Sequence, residues 1–197
     1  YKLYGDGSCL TGISAGGFEQ DADGNLFAGT GAGGSYDPST GSACYNIFLG
    51  CNSGNRITSG DYNVFLGQLS GYNNTSGSDN VFFGDNAGFS NTLGCNNFIV
   101  GNSAGYCNTE GYCNIFIGCG VAYKNTTGNN NTFLGALAGR ENNTGTDNIF
   151  LGRCAGCTNT SGTGNIAIGK DVLLPSATAD CQLAIGNGTN HWITGDS

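Results

Sequence analysis

The chain has 197 residues, of which 37 are glycine, 2 are proline and none is methionine; charged side chains make up 10% and the formal net charge is −8. Glycine at this density without a Gly-X-Y period excludes collagen, and 11 Phe with 9 Tyr exclude a disordered chain, which is poor in aromatics and rich in charge. The six basic residues, Lys2, Arg56, Lys124, Arg140, Arg153 and Lys170, are scattered, which argues against nucleic acid and anionic membranes as partners, and no apolar run nears the ~20 residues of a membrane span.

In chain order, residues 1–45 form an irregular N-terminal region. It holds Gly12, the segment Asn25–Gly29, and an insertion of four residues near Tyr36–Gly41. The absence of a signal-peptide pattern and the start at Tyr1 are expected of a processed product or part of a longer chain.

Residues 46–169 repeat with a period of 17. Asn46-Ile47-Phe48-Leu49-Gly50 recurs in phase at Asn63, Asn80, Asn97, Asn114, Asn131, Asn148 and Asn165, and again at Gln182. A second glycine follows four residues after the first, as at Gly54 and Gly71, and a third after ten, as at Gly60 and Gly77. Between them runs a second Asn column with Thr or Ser after it: Asn74, Asn91, Asn108, Asn125, Asn142 and Asn159. Each repeat has one short β-branched and aromatic run, and glycine at this density excludes helices. The expected fold is all-β: a parallel β-solenoid (β-roll) with two short strands and tight turns in each coil. About ten to eleven coils at ~4.8 Å each give a rod of roughly 50 Å.

Stacked coils place equal phases on top of each other. The Asn residues become hydrogen-bonded ladders. In each strand, alternation sends Ile47 and Leu49 to one face and Phe48 to the other. All three are apolar in nearly every repeat, so both faces are expected to be buried. One face makes the coil interior. The other packs against another copy, most simply in a homotrimer; the ladder Phe48, Phe65, Phe82, Phe116, Phe133 and Phe150 is the candidate structural core ladder, with its rings buried along that stripe. The alternative is a wide single-chain core that takes in these rings. Residues 170–197 break the pattern and read as a longer excursion followed by a capping coil.

The N-φ-F-φ-G…AG…NTTG repeats resemble those of fibre and tail-fibre proteins of phages and other aquatic viruses, cyanobacterial phages above all. Leu174-Pro175-Ser176-Ala177-Thr178 and the stretch Gln182–Asp196 resemble the segment that closes such repeat regions. Ile166-Ala167-Ile168-Gly169 and Leu183-Ala184-Ile185-Gly186 are similar to the head repeats of trimeric autotransporter adhesins, although the period of 17 departs from their shorter one. The resemblance covers about residues 25–196. It implies three chains about one axis in a structural or receptor-presenting role on a virion or outside a cell. It supplies no catalytic residue or cofactor.

Other candidate sites are weaker. His191 is the only histidine, which removes most nucleophilic triads and His-rich metal sites. Of ten cysteines, Cys95 and Cys113 lie on adjacent coils at neighbouring phases and make the best disulfide pair; Cys154 and Cys157 form a C-x-x-C without a second pair for zinc. Asp61 and Asp79 lie on adjacent coils, too little for a carboxylate catalytic pair. Glycosylation sequons fall at Asn73, Asn74, Asn125, Asn130, Asn142, Asn159 and Asn187. Trp192, beside His191, is expected to seal the end of the core, with sugar stacking as the other reading. The expected role is a rigid, self-associating shaft that presents a surface to a host glycan or receptor. The alternative is an extracellular adhesin or self-assembling filament subunit. No enzymatic activity and no membrane insertion are expected.

Overall fold

The computed structural model describes residues 20–40 and 42–195, together with the backbone of residues 13–14 and 17–18. Those two pairs are β1 (Ile13–Ser14) and β2 (Gly17–Phe18), an antiparallel pair. Then come β3 (Leu26–Ala28), β4 (Ile47–Leu49), β5 (Val64–Leu66), β6 (Val81–Phe83), β7 (Phe98–Val100), β8 (Ile115–Ile117), β9 (Thr132–Leu134), β10 (Ile149–Leu151) and β11 (Ile166–Ile168). The last two strands are β12 (Leu183–Asn187) and β13 (Asn190–Gly195). No helix occurs among the described residues.

The molecule is a parallel β-solenoid. Strands β3 to β12 join in sequence order through nine parallel pairings, hence nine turns rather than the ten or eleven expected. The difference lies at the ends, because Gly12 falls outside the described residues and β13 folds back antiparallel on β12. Each coil also carries one strand, not two. The rest of the coil is turns, yet its backbone still bonds to the neighbouring coils: Gly54 N–H donates to Ser70 O at 2.9 Å and Arg56 N–H to Tyr72 O at 3.1 Å.

The ladder asparagines hold these turns. Asn63 Nδ2 donates to Asn46 Oδ1 at 3.1 Å and to Gly77 O at 2.9 Å, while its own backbone N–H donates to Asn46 Oδ1 at 2.9 Å. One side chain thus ties its coil to the preceding one and closes the turn ahead of the next strand. The second column bonds likewise, with Asn91 Nδ2 donating to Asn74 Oδ1 at 2.7 Å. Both columns are buried, and no buried side-chain nitrogen or oxygen among the described residues lacks a partner. That matters because an unpaired buried polar group costs about 1–3 kcal/mol.

The Phe ladder is the structural core, and only its reading as an interface stripe needs correction. Phe48, Phe65, Phe82, Phe116, Phe133 and Phe150 are all 0% exposed within the single chain, so they form its own core and not an interface. Phe48 and Phe65 stack at 4.7 Å, and Phe65 and Phe82 at 4.8 Å, which is the spacing of the coils. The second glycine of each repeat makes room for them. A Cβ on Gly71 would lie 2.5 Å from the Phe65 ring, and its φ of +58° is a left-handed conformation that favours glycine. Ala122 holds the equivalent position after Phe116, and there the Phe116–Phe133 stack opens to an interplanar angle of 23°.

The ends differ. The insertion near Tyr36 loops out without disturbing the sheet: Leu26 still pairs with Ile47. Tyr36 anchors it, with its ring edge-on to Phe27 and its hydroxyl donating to Asp23. Burial, and then that carboxylate, push the Tyr36 phenol well above its usual range. At the other end Trp192 seals nothing. It is the unpaired residue of a bulge in β13 and is 75% exposed.

Candidate functional site: the apolar sheet face

With Phe turned inward, alternation turns the other two strand positions outward. They form two columns. One runs Leu26, Ile47, Val64, Val81, Phe98, Ile115, Thr132, Ile149, Ile166 and Leu183; the other runs Ala28, Leu49, Leu66, Phe83, Val100, Ile117, Leu134, Leu151, Ile168 and Ile185. Thr132 is the only polar residue among them. None is fully buried, and Phe83 at 55%, Leu134 at 47% and Phe98 and Ile115 at 43% are among the most exposed large apolar side chains of the chain. Ile193 of β13 pairs with Ile185 and continues the second column.

A sheet face meant for water alternates apolar with polar residues. This one does not. Ten strands at ~4.8 Å and three residues at ~3.3 Å make a strip of about 48 by 10 Å, on the order of 500 Å². That matches the ~300–600 Å² of the largest apolar patch on a typical monomer, a size often tied to function; with the partly charged rows on either side the face reaches about 1000 Å², enough for the ~800 Å² per partner of a standard interface. One flanking row holds the exposed Tyr45 and Tyr62, stacked at 5.2 Å, then Asp79, Cys113 and Asp147; the other holds Cys51, Asp85, Cys119 and Arg153.

A second ladder lies on another wall. Tyr72, Phe89, Tyr106 and Tyr123 stack at 5.0–5.3 Å, and the Arg56 guanidinium sits 5.5 Å over Tyr72. These rings are half-buried and cover one another's faces. Beside Tyr123 a shallow groove is lined by Lys124 and Glu141, an exposed ion pair at 2.5 Å.

The remaining candidates disperse. Among the described residues a disulfide joins Cys154 to Cys157, while Cys95 and Cys113 are free thiols. The coil register does bring the two backbones together, with Cys113 N–H donating to Cys95 O at 3.0 Å. The side chains do not follow: Cys95 Sγ turns to Leu93 O at 3.2 Å, and Cys113 is exposed at a left-handed φ of 55°. Asp61 Oδ1 accepts from Cys44 N–H at 2.7 Å and Asp79 is exposed on the rim. No group of three metal-binding side chains occurs among the described residues. Asn74, Asn125, Asn142 and Asn159 are 0% exposed inside their ladder, so a glycan there is incompatible with the fold. Asn73 is half-buried, with Nδ2 donating to Phe89 O, whereas Asn130 and Asn187 are exposed. No helix among the described residues is long and apolar enough to cross a membrane. The chain matches no protein-family model, no curated protein and no solved structure.

Proposed function

We propose that the chain is a structural fibre segment, a stiff shaft on a virion or outside a cell that associates with copies of itself and presents a surface to a host glycan or receptor. One observation carries the reading: the outer face of the sheet is apolar on every strand from β3 to β12 but for Thr132. Burying it against another copy removes that surface from water at roughly 25 cal/mol per Å². The closed ladders supply stiffness, since each coil is tied to the next through backbone and Asn side chains. Three copies about one axis is the arrangement implied by the resemblance of the repeats to fibre proteins, and no step of this role requires chemistry.

The alternative, a self-assembling extracellular filament, draws on the exposed thiols Cys51, Cys113, Cys119 and Cys181, which favour covalent links between chains. Light scattering with and without reductant separates the two. The shaft reading expects a mass near that of three chains in both conditions, and a shift to one chain when Ile115 and Leu134 are replaced by Lys. Both side chains point outward, so these variants keep the fold. A monomeric wild type overturns the reading. A polymer that reductant dissolves supports the filament.

A further inference from the structure

We infer that the β13 end of the rod is a binding site for a neutral saccharide, whose ring stacks on the face of Trp192. This rests on the glycan-presenting role proposed above and names where the glycan sits and which class it belongs to. Trp192 is the only tryptophan of the chain, and it is the most exposed large apolar side chain among the described residues. No ring, cation or hydrogen-bonding group of those residues meets its indole. A side chain this large is ordinarily buried over most of its area. Trp192 is instead held out in water on a firm support. The bulge leaves it unpaired, β12 pairs with β13 on either side of it, and Gly188 N–H fastens the connecting turn to Lys170 O at 2.8 Å.

The surroundings choose the ligand. From Gln182 to Gly195 the chain has no Asp, Glu, Lys or Arg. Lys170 meets the hairpin through its backbone carbonyl, while its ammonium turns to Asp171 at 3.9 Å. The hairpin offers amides and hydroxyls: Asn187, Thr189, Asn190 and Thr194 are all exposed. Among the described residues β13 also ends the sheet, so the backbone N–H and C=O groups on its outer edge have no strand to pair with. A sugar ring matches this set. Its C–H face lies flat on an aromatic ring, its hydroxyls both donate and accept, and it brings no charge that needs a partner. The other occupant for such an edge is an added protein strand. The bulge stands against it, because a bulge interrupts the ladder that a new strand would extend. Three copies about one axis set three such sites at one end of the shaft, so that weak single contacts add up.

Because no other tryptophan contributes, the fluorescence of the native oligomer reads Trp192 directly. The test titrates it with cellotriose, chitotriose and galactotriose, and with sialyllactose as the acidic comparison. We expect emission that iodide quenches before sugar is added, and a saturable change with at least one neutral sugar. Titration followed by the sugar's own proton NMR signals needs no tryptophan. It should show binding about tenfold weaker in Trp192→Ala, the factor that about 60 Å² of lost apolar contact is worth at roughly 25 cal/mol per Å², with part of the loss restored in Trp192→Tyr. The side chain is exposed, so both variants keep the fold.

Four results overturn the site: no response to any of the neutral sugars, a response to sialyllactose alone, binding that Trp192→Ala leaves unchanged, or emission already shielded from iodide because a second copy covers the ring. A rise in native mass that depends on Trp192, without a sugar response, assigns the edge to strand addition instead. The shaft reading is judged separately. A trimer that ignores sugar keeps the shaft and loses the site, whereas a monomer that binds sugar through Trp192 keeps the site and loses the shaft.

Discussion

Replacing Asn114 with Ala removes four hydrogen bonds at once. Asn114 Nδ2 donates to Asn97 Oδ1 at 3.0 Å and to Gly128 O at 2.9 Å, and its Oδ1 accepts from the backbone N–H and the side-chain Nδ2 of Asn131 at 3.0 and 3.2 Å. Three of the four surviving partners keep another bond. Gly128 O still accepts from Asn125, Asn97 Oδ1 from the Asn114 backbone, and Asn131 Nδ2 still donates to Gly145 O. The buried Asn131 backbone N–H keeps none of its bonds. At about 1 kcal/mol for each of the three bonds whose partners keep another, plus about 1–3 kcal/mol for the buried orphan donor, the loss comes to about 4–6 kcal/mol, a large share of the ~5–15 kcal/mol that holds a domain folded. Urea unfolding followed by circular dichroism reads it, with Asn102→Ala as the control. Asn102 is exposed, and its two side-chain bonds, to Asp85 at 3.3 Å and from the Ser103 hydroxyl at 3.2 Å, are both exposed as well, so that variant should stay within about 0.5 kcal/mol. Asn114→Asp adds a check of sign. A buried carboxylate facing Gly128 O and Asn97 Oδ1 titrates above its unfolded value, so this variant should be weakest at neutral pH and recover as pH falls through the folded pKa. If Asn114→Ala behaves like Asn102→Ala, the ladder does not bind the coils and the account of the shaft's stiffness fails.

Three further outcomes follow from the same geometry. Gly71→Ala should lower stability by about 2–4 kcal/mol, from the left-handed backbone and the clash with Phe65, whereas Ala122→Gly should raise it by about 1 kcal/mol; thermal midpoints decide, and equal effects of the two would refute the ring-clearance role. Secreted from a glycosylating host, the chain should carry glycans at Asn130 and Asn187 and none at Asn74, Asn125, Asn142 or Asn159 in folded material, as read by glycopeptide mass spectrometry. Reducing Cys154–Cys157, which closes a loop of only four residues, should cost about 2 kcal/mol in chain entropy and leave the native mass unchanged by light scattering.

The periodicity alone carried the fold a long way. A glycine that returns with a period of 17, after an Asn and three apolar residues, states the coil, its strand and both ladders, because stacked coils force equal phases into equal surroundings. What it could not state was which apolar face points in. Ile47, Phe48 and Leu49 are all apolar, and the deciding fact is the bare backbone of Gly54, whose missing side chain leaves space for Phe48. A single sequence shows that glycine without showing what lies across from it. The same limit applies to the cysteines. Register put Cys95 beside Cys113, but the left-handed φ at Cys113 redirects its side chain; Asp79, Asn96, Asn130 and Asp147 at the same phase are residues that favour that conformation, while Tyr45, Tyr62 and Cys113 are not. Four sequons looked like surface features until their asparagines were found in the inner ladder.

The insertion near Tyr36 has a consequence for how such a molecule changes over generations. β3 and β4 stay paired although the step from Asn25 to Asn46 is 21, against 17 from Asn46 to Asn63; the surplus leaves at one corner. A corner that absorbs four residues makes the other dimensions independent of it. Reach is therefore graduated like a ruler: duplicating or deleting one unit between Asn46 and Gly169 moves the far end by about 4.8 Å and leaves both terminal pieces as they were. Decoration is set separately, by what is spliced into a corner. A lineage can tune distance and surface one at a time, without inventing a new core for either.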